Sequence, residues 1–107
     1  MKKEKLILVV FICLALSLSI GFGRVKTDSM EPAIEVGSIV FYSKVFSADS
    51  IEVGDIVLFK DSLGRVICHR VLSIEGDFLV TKGDALSEAD PKISKEELVG
   101  KYLFNVF

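Results

Sequence analysis

The chain has 107 residues, of which 50% are hydrophobic and 26% charged, and a formal net charge of -2. That length leaves room for one small folded domain, and the hydrophobic content excludes a disordered chain. The near-neutral charge balance gives no general electrostatic reason to bind nucleic acid, so that class of partner is set aside.

The first element is an uncharged run from Leu6 to Gly23, LILVVFICLALSLSIGFG, preceded by MKKEK. At 1.5 Å per helical residue the run reaches roughly 27 Å, enough to cross one hydrocarbon core. Lys2, Lys3 and Lys5 favour a cytoplasmic N-terminus, with Arg24 and Lys26 on the far side as a weaker opposing bias. A cleaved secretory signal is the competing reading, because Ser17, Ser19 and Gly21 also suit one; that version leaves a small secreted β-protein. The length of the run and the lack of Ala-x-Ala favour an anchor. Residues 1–26 are therefore assigned to a tail, transmembrane anchor and juxtamembrane link, and residues 27–107 to a β-rich domain outside the membrane. Ser29 then lies within about 20 Å of the membrane surface.

Four runs rich in Val, Ile and Phe follow: SIVFYSKV, DIVLFK, RVICHRVLSI and FLVTK, separated by Gly or Asp turns. These predict strands, and IEGD between the third and fourth predicts a β-hairpin. ISKEEL carries Ser94 with Glu97 three residues later, a capping-box pattern that predicts a helical turn. LVGKYLFNVF predicts a last strand. IEVGSIV and IEVGDIV nearly repeat, but two copies are too few for a stacked array. The apolar runs alternate imperfectly, as in a small sheet curled so that some strands are buried on both sides. The predicted fold class is mainly β, a small curled, barrel-like sheet preceded by one transmembrane helix.

Ser29 needs a base within hydrogen-bond reach to become a nucleophile. The single histidine, His69, sits mid-strand in VICHRV, and imidazole can accept a hydroxyl proton and return it to a leaving amine near neutral pH. A hydrogen-bonded structural histidine is the competing reading. Neighbouring Cys68 points to the opposite strand face and reads as a small core residue. A carboxylate usually fixes the tautomer of such a base. Asp84 and Asp90 are the candidates: Asp84 follows Gly83 and suits a turn, whereas Asp90 precedes Pro91, which restricts it to an extended conformation. Asp90 is favoured as the orienting group. Lys82 is the rival base if it is buried beside Ser29. One histidine and two distant cysteines offer no metal-ligand spacing, and no glycine-rich phosphate loop is present, so no cofactor is expected.

Taken in order, SMEPAIEVGSIVFY, VGDIVLF, ICHRVLSI and FLVTKGDALSEAD resemble the type I signal peptidases of archaea, the endoplasmic reticulum and some Gram-positive bacteria. The resemblance covers nearly everything after the apolar run. It implies that Ser29 is the nucleophile, that His69 stands where the ordinary bacterial branch has a lysine, and that Asp84 and Asp90 supply acidic help. Ala85, Leu86 and Ala89 depart from the family's more polar pattern around these aspartates. The implied activity is removal of N-terminal signal peptides from exported preproteins after small residues, Ala-x-Ala in type, with Met30 and Ile34 lining shallow substrate pockets. The implied partners are signal peptides and membrane lipid, with the protein-export channel as a further candidate, and the implied location is the extracytoplasmic side of the cell membrane. The alternative is a catalytically inactive, membrane-tethered β-domain that binds extended peptides.

Overall fold

Helix α1 (Lys3–Ser19) runs without a spacer into strand β1 (Ile20–Arg24). A computed structural model describes residues 2–107; Met1, the first residue of the expected anchor segment, lies outside the described residues. α1 has 17 residues and buries none of them. Consecutive apolar residues from Leu6 to Ile12 cover all of its sides.

The expectation of one transmembrane helix reaching Gly23 is corrected at this point. Among the described residues no helix is long and apolar enough to cross a membrane. The helix stops at Ser19 because the next five residues, two of them helix-disfavouring glycines, satisfy their backbone groups by pairing with β2 (Ile39–Ser43).

Beyond β2 come β3 (Ile56–Lys60), β4 (Val66–Glu75), β5 (Phe78–Lys82), β6 (Ile93–Ser94) and β7 (Leu98–Val106). They form one sheet in the order β1-β2-β7-β3-β4-β5-β6, with every pairing antiparallel. The predicted hairpin joins β4 to β5, with Glu75 opposite Phe78. The predicted helical turn is a 3-10 turn at Lys95–Glu97, in which the Ser94 hydroxyl accepts from the Glu96 amide. A second 3-10 turn covers Ala48–Ser50.

The last strand of the chain, β7, fits between β2 and β3, which makes β3 a central strand. Its Ile56, Val57, Leu58 and Phe59 are all buried, so the alternation of a one-sided strand is lost. Val57 and Phe59 join Ile51, Val71, Leu79 and Ile93 in one apolar cluster. Ile56, pointing the other way, joins Met30, Ile34 and Val40 in a second. The sheet curls around these two clusters, and the site described next lies where they meet.

Candidate active site

Ser29 lies in the connection between β1 and β2. That connection is closed at its base by hydrogen bonds between Val25 and both Gly37 and Ser38. Inside it, Met30 and Ile34 are joined by a helical-type bond from the Ile34 amide to the Met30 carbonyl, 2.9 Å. Both side chains plug into the second apolar cluster. A residue next to two buried plugs has little freedom, and the Ser29 carbonyl is also held by the Ala85 amide at 2.8 Å. The hydroxyl therefore projects from a fixed backbone.

His69 sits in the middle of β4, opposite Val57 of β3, and is 7% exposed. The Phe59 ring stands edge-on to the imidazole, with centroids 6.2 Å apart. Backbone pairing and this aromatic wall leave the ring one orientation, with a nitrogen at each end of the available hydrogen-bond path.

Asp90 follows β5 and is tied to it twice. Its amide donates to the Thr81 carbonyl at 2.8 Å, and its Oδ2 accepts from Thr81 Oγ1 at 2.8 Å. The same Oδ2 is 2.5 Å from His69 Nδ1. A carboxylate only accepts, so Nδ1 carries the proton and Nε2 presents its lone pair. Nε2 is 3.2 Å from Ser29 Oγ. The Ser29 hydroxyl thus donates to Nε2, and Thr27 Oγ1, 3.2 Å from Ser29 Oγ, is left to donate to the serine oxygen. A hydroxyl, an imidazole in the accepting tautomer and a carboxylate behind it form the arrangement that activates a serine for attack on a carbonyl.

A family model described as signal peptidase, peptidase S26, matches residues 2–103. The chain belongs to the signal peptidase family. It is similar to signal peptidase I W of Bacillus subtilis (strain 168), 30% identical over 83 residues, a match that covers 73% of this chain and 44% of the relative. The chain therefore spans less than half the length of that curated relative.

The other residues singled out from the sequence stand elsewhere in this signal peptidase fold. Asp84 is outside the Ser29–His69–Asp90 chain of hydrogen bonds. It holds Arg70 in a bidentate pair, with Nε 2.9 Å from Oδ1 and Nη2 2.7 Å from Oδ2. Arg70 also donates to the Gly54 carbonyl at 2.9 Å. The hydrogen bonds from Arg70 hold the Asp84 carboxyl below its usual range. Asp84 therefore fixes the Gly83–Leu86 turn, whose Ala85 amide holds the Ser29 carbonyl.

Met30 and Ile34, expected to line substrate pockets, are 2% and 1% exposed. They sit as plugs beneath the Ser29 loop, packed into the second cluster. The Lys82 ammonium donates to the carbonyls of Gly83, at 2.9 Å, and Leu86, at 2.6 Å. It staples the same turn and makes no hydrogen bond to Ser29 among the described residues. Cys68 is half-buried against the second cluster, and burial pushes its thiol up to about 12, which keeps it protonated and unreactive. Among the described residues no group of three or more His, Cys, Asp or Glu side chains is placed to hold a metal ion.

Four neighbours of the site were not singled out from the sequence: Thr27, Thr81, Arg70 and Gly83. A Cβ on Gly83 would lie 2.7 Å from the Ser29 carbonyl oxygen and 3.1 Å from His69 Nε2. Only glycine lets the turn pass this close. Arg70 and Thr81 are placed by strand pairing with residues remote in sequence, which no spacing rule displays. Thr27, two residues before Ser29, carried the one readable signal: a second hydroxyl close to the nucleophile.

Proposed function

We propose that this chain is a membrane-attached serine endopeptidase that removes N-terminal signal peptides from exported preproteins, cutting after small residues of the Ala-x-Ala type. The observation that carries the proposal is the unbroken path Ser29 Oγ, His69 Nε2, His69 Nδ1, Asp90 Oδ2, with separations of 3.2 Å and 2.5 Å at its two hydrogen bonds. A histidine in the base position favours the archaeal and endoplasmic-reticulum branch of the family over the lysine-dependent one.

In this mechanism Ser29 Oγ attacks the carbonyl carbon at the cleavage site as its proton passes to His69 Nε2. Asp90 stabilises the imidazolium by accepting from Nδ1. Backbone amides, that of Ser29 among them, stabilise the oxyanion. The tetrahedral intermediate collapses, the C–N bond breaks, and His69 gives its proton to the amine of the departing mature chain. Water, deprotonated by the same imidazole, then attacks the acyl ester and releases the signal peptide with Ser29 restored.

The substrate binds as an extended segment along an edge of the sheet, where main-chain pairing positions the scissile bond and alternate side chains meet the surface. Residues 27–107 act as the catalytic domain. α1, apolar on all sides and unburied, attaches the chain to the cell membrane, because such a helix is not stable facing water. The catalytic domain then lies on the extracytoplasmic side, where an emerging preprotein presents its cleavage site.

The deciding experiment incubates the detergent-solubilised full chain with a preprotein bearing Ala-x-Ala and follows the new N-terminus by mass spectrometry. Cleavage after the second Ala, abolished in both Ser29→Ala and His69→Ala, is the expected result. Full activity in either variant overturns the assignment. Binding of the preprotein without turnover in the unmodified chain establishes the alternative reading, a peptide-binding domain.

A further inference from the structure

Strand pairing leaves a gap beside the first half of β4. Val66–Arg70 is paired with β3, whereas β5 joins β4 only from Arg70 onward, so Ile67 and His69 have a strand on one side alone. Across from them passes Asp90–Lys92, a segment that belongs to no strand. The result is a cavity of about 830 Å³, within the size range of small-molecule sites. Phe59, Ile67, Ile93 and Val99 give it an apolar floor, and His69 and Asp90 stand in its wall. Among the described residues, none of the Ser29 loop between Val25 and Ser38 lines it, and none of the Gly83–Leu86 turn. The cavity therefore reaches the imidazole–carboxylate pair without touching the side on which the serine stands.

Charge selects what can fill it. Arg65 is bound to Asp61 at 2.8 Å and Lys92 to Glu75 at 2.5 Å, so two of the basic groups at the rim are already neutralised. Among the described residues the other rim charges, Lys60, Glu96 and Glu97, have no ion-pair partner. One cation and two anions remain. Asp90 adds to the anionic side, because His69 Nδ1 and Thr81 Oγ1 both bond to Oδ2, and Oδ1 accepts from no group among the described residues. A carboxylate oxygen without a donor, beside an apolar floor, is matched by a ligand that carries its own donor and its own apolar body.

We infer that this cavity binds a small primary amine with an apolar body, its ammonium on Asp90 Oδ1 in the field of Glu96 and Glu97. Such a ligand draws charge from Oδ2 and weakens the bond that holds Nδ1. Its effect on catalysis rests on the proposed serine-protease reading: kcat falls, because the imidazolium loses support, while KM for the preprotein stays the same, because the Ser29 side is left open. Its occupancy does not rest on that reading.

The chain holds one histidine, so isotope-labelled histidine gives the ring signals of His69 alone in a magnetic resonance spectrum. The detergent-solubilised full chain is titrated with phenethylamine, phenethyl alcohol and hydrocinnamate, which share an apolar body and differ in charge. The expected result is a saturable upfield shift of the Nδ1 proton with the amine only. In Glu96→Gln/Glu97→Gln, where both side chains are exposed and the fold is kept, the amine's dissociation constant should rise about 3- to 10-fold. An equal response to all three ligands, or none to any, overturns the inference. A response to hydrocinnamate alone also overturns it and assigns the cavity to anions through Lys60. An amine shift unchanged in the double variant places the amine beside Ser29 instead, and overturns it as well. Preprotein cleavage is read in parallel: a chain that shows the amine shift but no cleavage keeps the cavity site and loses the protease reading.

Discussion

The Ala85 amide donates to the Ser29 carbonyl at 2.8 Å, so the backbone of the proposed nucleophile is fastened to the turn that separates the two aspartates. That turn is itself held from three directions: by the Arg70–Asp84 pair, by Lys82 bonding its carbonyls, and by the absent side chain of Gly83. Geometry at Ser29 is therefore set largely by residues that never reach it with a side chain, and variants in the turn separate positioning from folding.

Gly83→Ala places a methyl group 2.7 Å from the Ser29 carbonyl and 3.1 Å from His69 Nε2, and the first of these neighbours is backbone. The expected outcome is a loss of turnover on the order of 100-fold, since small misplacements of reacting groups carry penalties of that size. Circular dichroism should show the strand content retained, and steady-state kinetics should show the loss in kcat.

Asp90→Asn keeps the shape but offers Nδ1 a group that can donate, which favours the tautomer with its proton on Nε2. Turnover should fall by about 10²- to 10⁴-fold. Thr81→Val removes only one supporting bond to the carboxylate, worth about 1.5–3 kcal/mol, and should lower kcat/KM on the order of 10- to 100-fold. Stopped assays on the same preprotein rank the two.

Lys82→Met separates the histidine-dependent mechanism from a lysine-dependent one. Both carbonyl bonds of the ammonium are lost, so some loosening of the turn is expected, but the activity should keep the same pH-rate limb as the unmodified chain. Loss of that limb in Lys82→Met, rather than in His69 variants, would show that the lysine is the base.

The Arg70–Asp84 pair predicts an acid-sensitive contribution to stability. The carboxyl is held below its ordinary value of 3.8 by its hydrogen bonds to Arg70. The unfolded chain therefore takes up its proton first as pH falls. The contribution is complete above 3.8 and disappears as pH drops through the lower folded value. Thermal melts of the unmodified chain and Asp84→Asn should differ at neutral pH, and the gap should narrow only below pH about 4.

Cys68 should resist alkylation. With Cys13 replaced by Ser, iodoacetamide at pH about 8 should leave the native protein unmodified and label it fully in denaturant, because burial has pushed the thiol up to about 12. Intact-mass measurement reads both states.

Much of the sheet was legible in the sequence because β2 to β5 and β7 are short runs of β-branched and aromatic residues between turn formers. β1 was not, since Ile20–Arg24 continues the apolar run without a polar break and reads as more helix; only pairing with β2 distinguishes it. β6 has two residues, too few for any period. At the site, Ser29, His69 and Asp90 stood out because each carries distinctive chemistry at a conformationally marked position. Asp84 and Arg70 are 14 residues apart and meet only because β4 and β5 pair, with Arg70 opposite Lys82. Met30 and Ile34 were readable as apolar; whether they face a substrate or the interior is decided by the second cluster, which is assembled from strands remote in the chain.

The burial of β3 on both sides has one further consequence. Ser29 adjoins a plug of one cluster, His69 stands against Phe59 of the other, and the same strand feeds both. Neither half of the site can loosen while its counterpart stays ordered. In urea, hydrolytic competence and native spectroscopic signal should therefore vanish together at a single midpoint, and the amides of β3 should exchange with deuterium only through global opening.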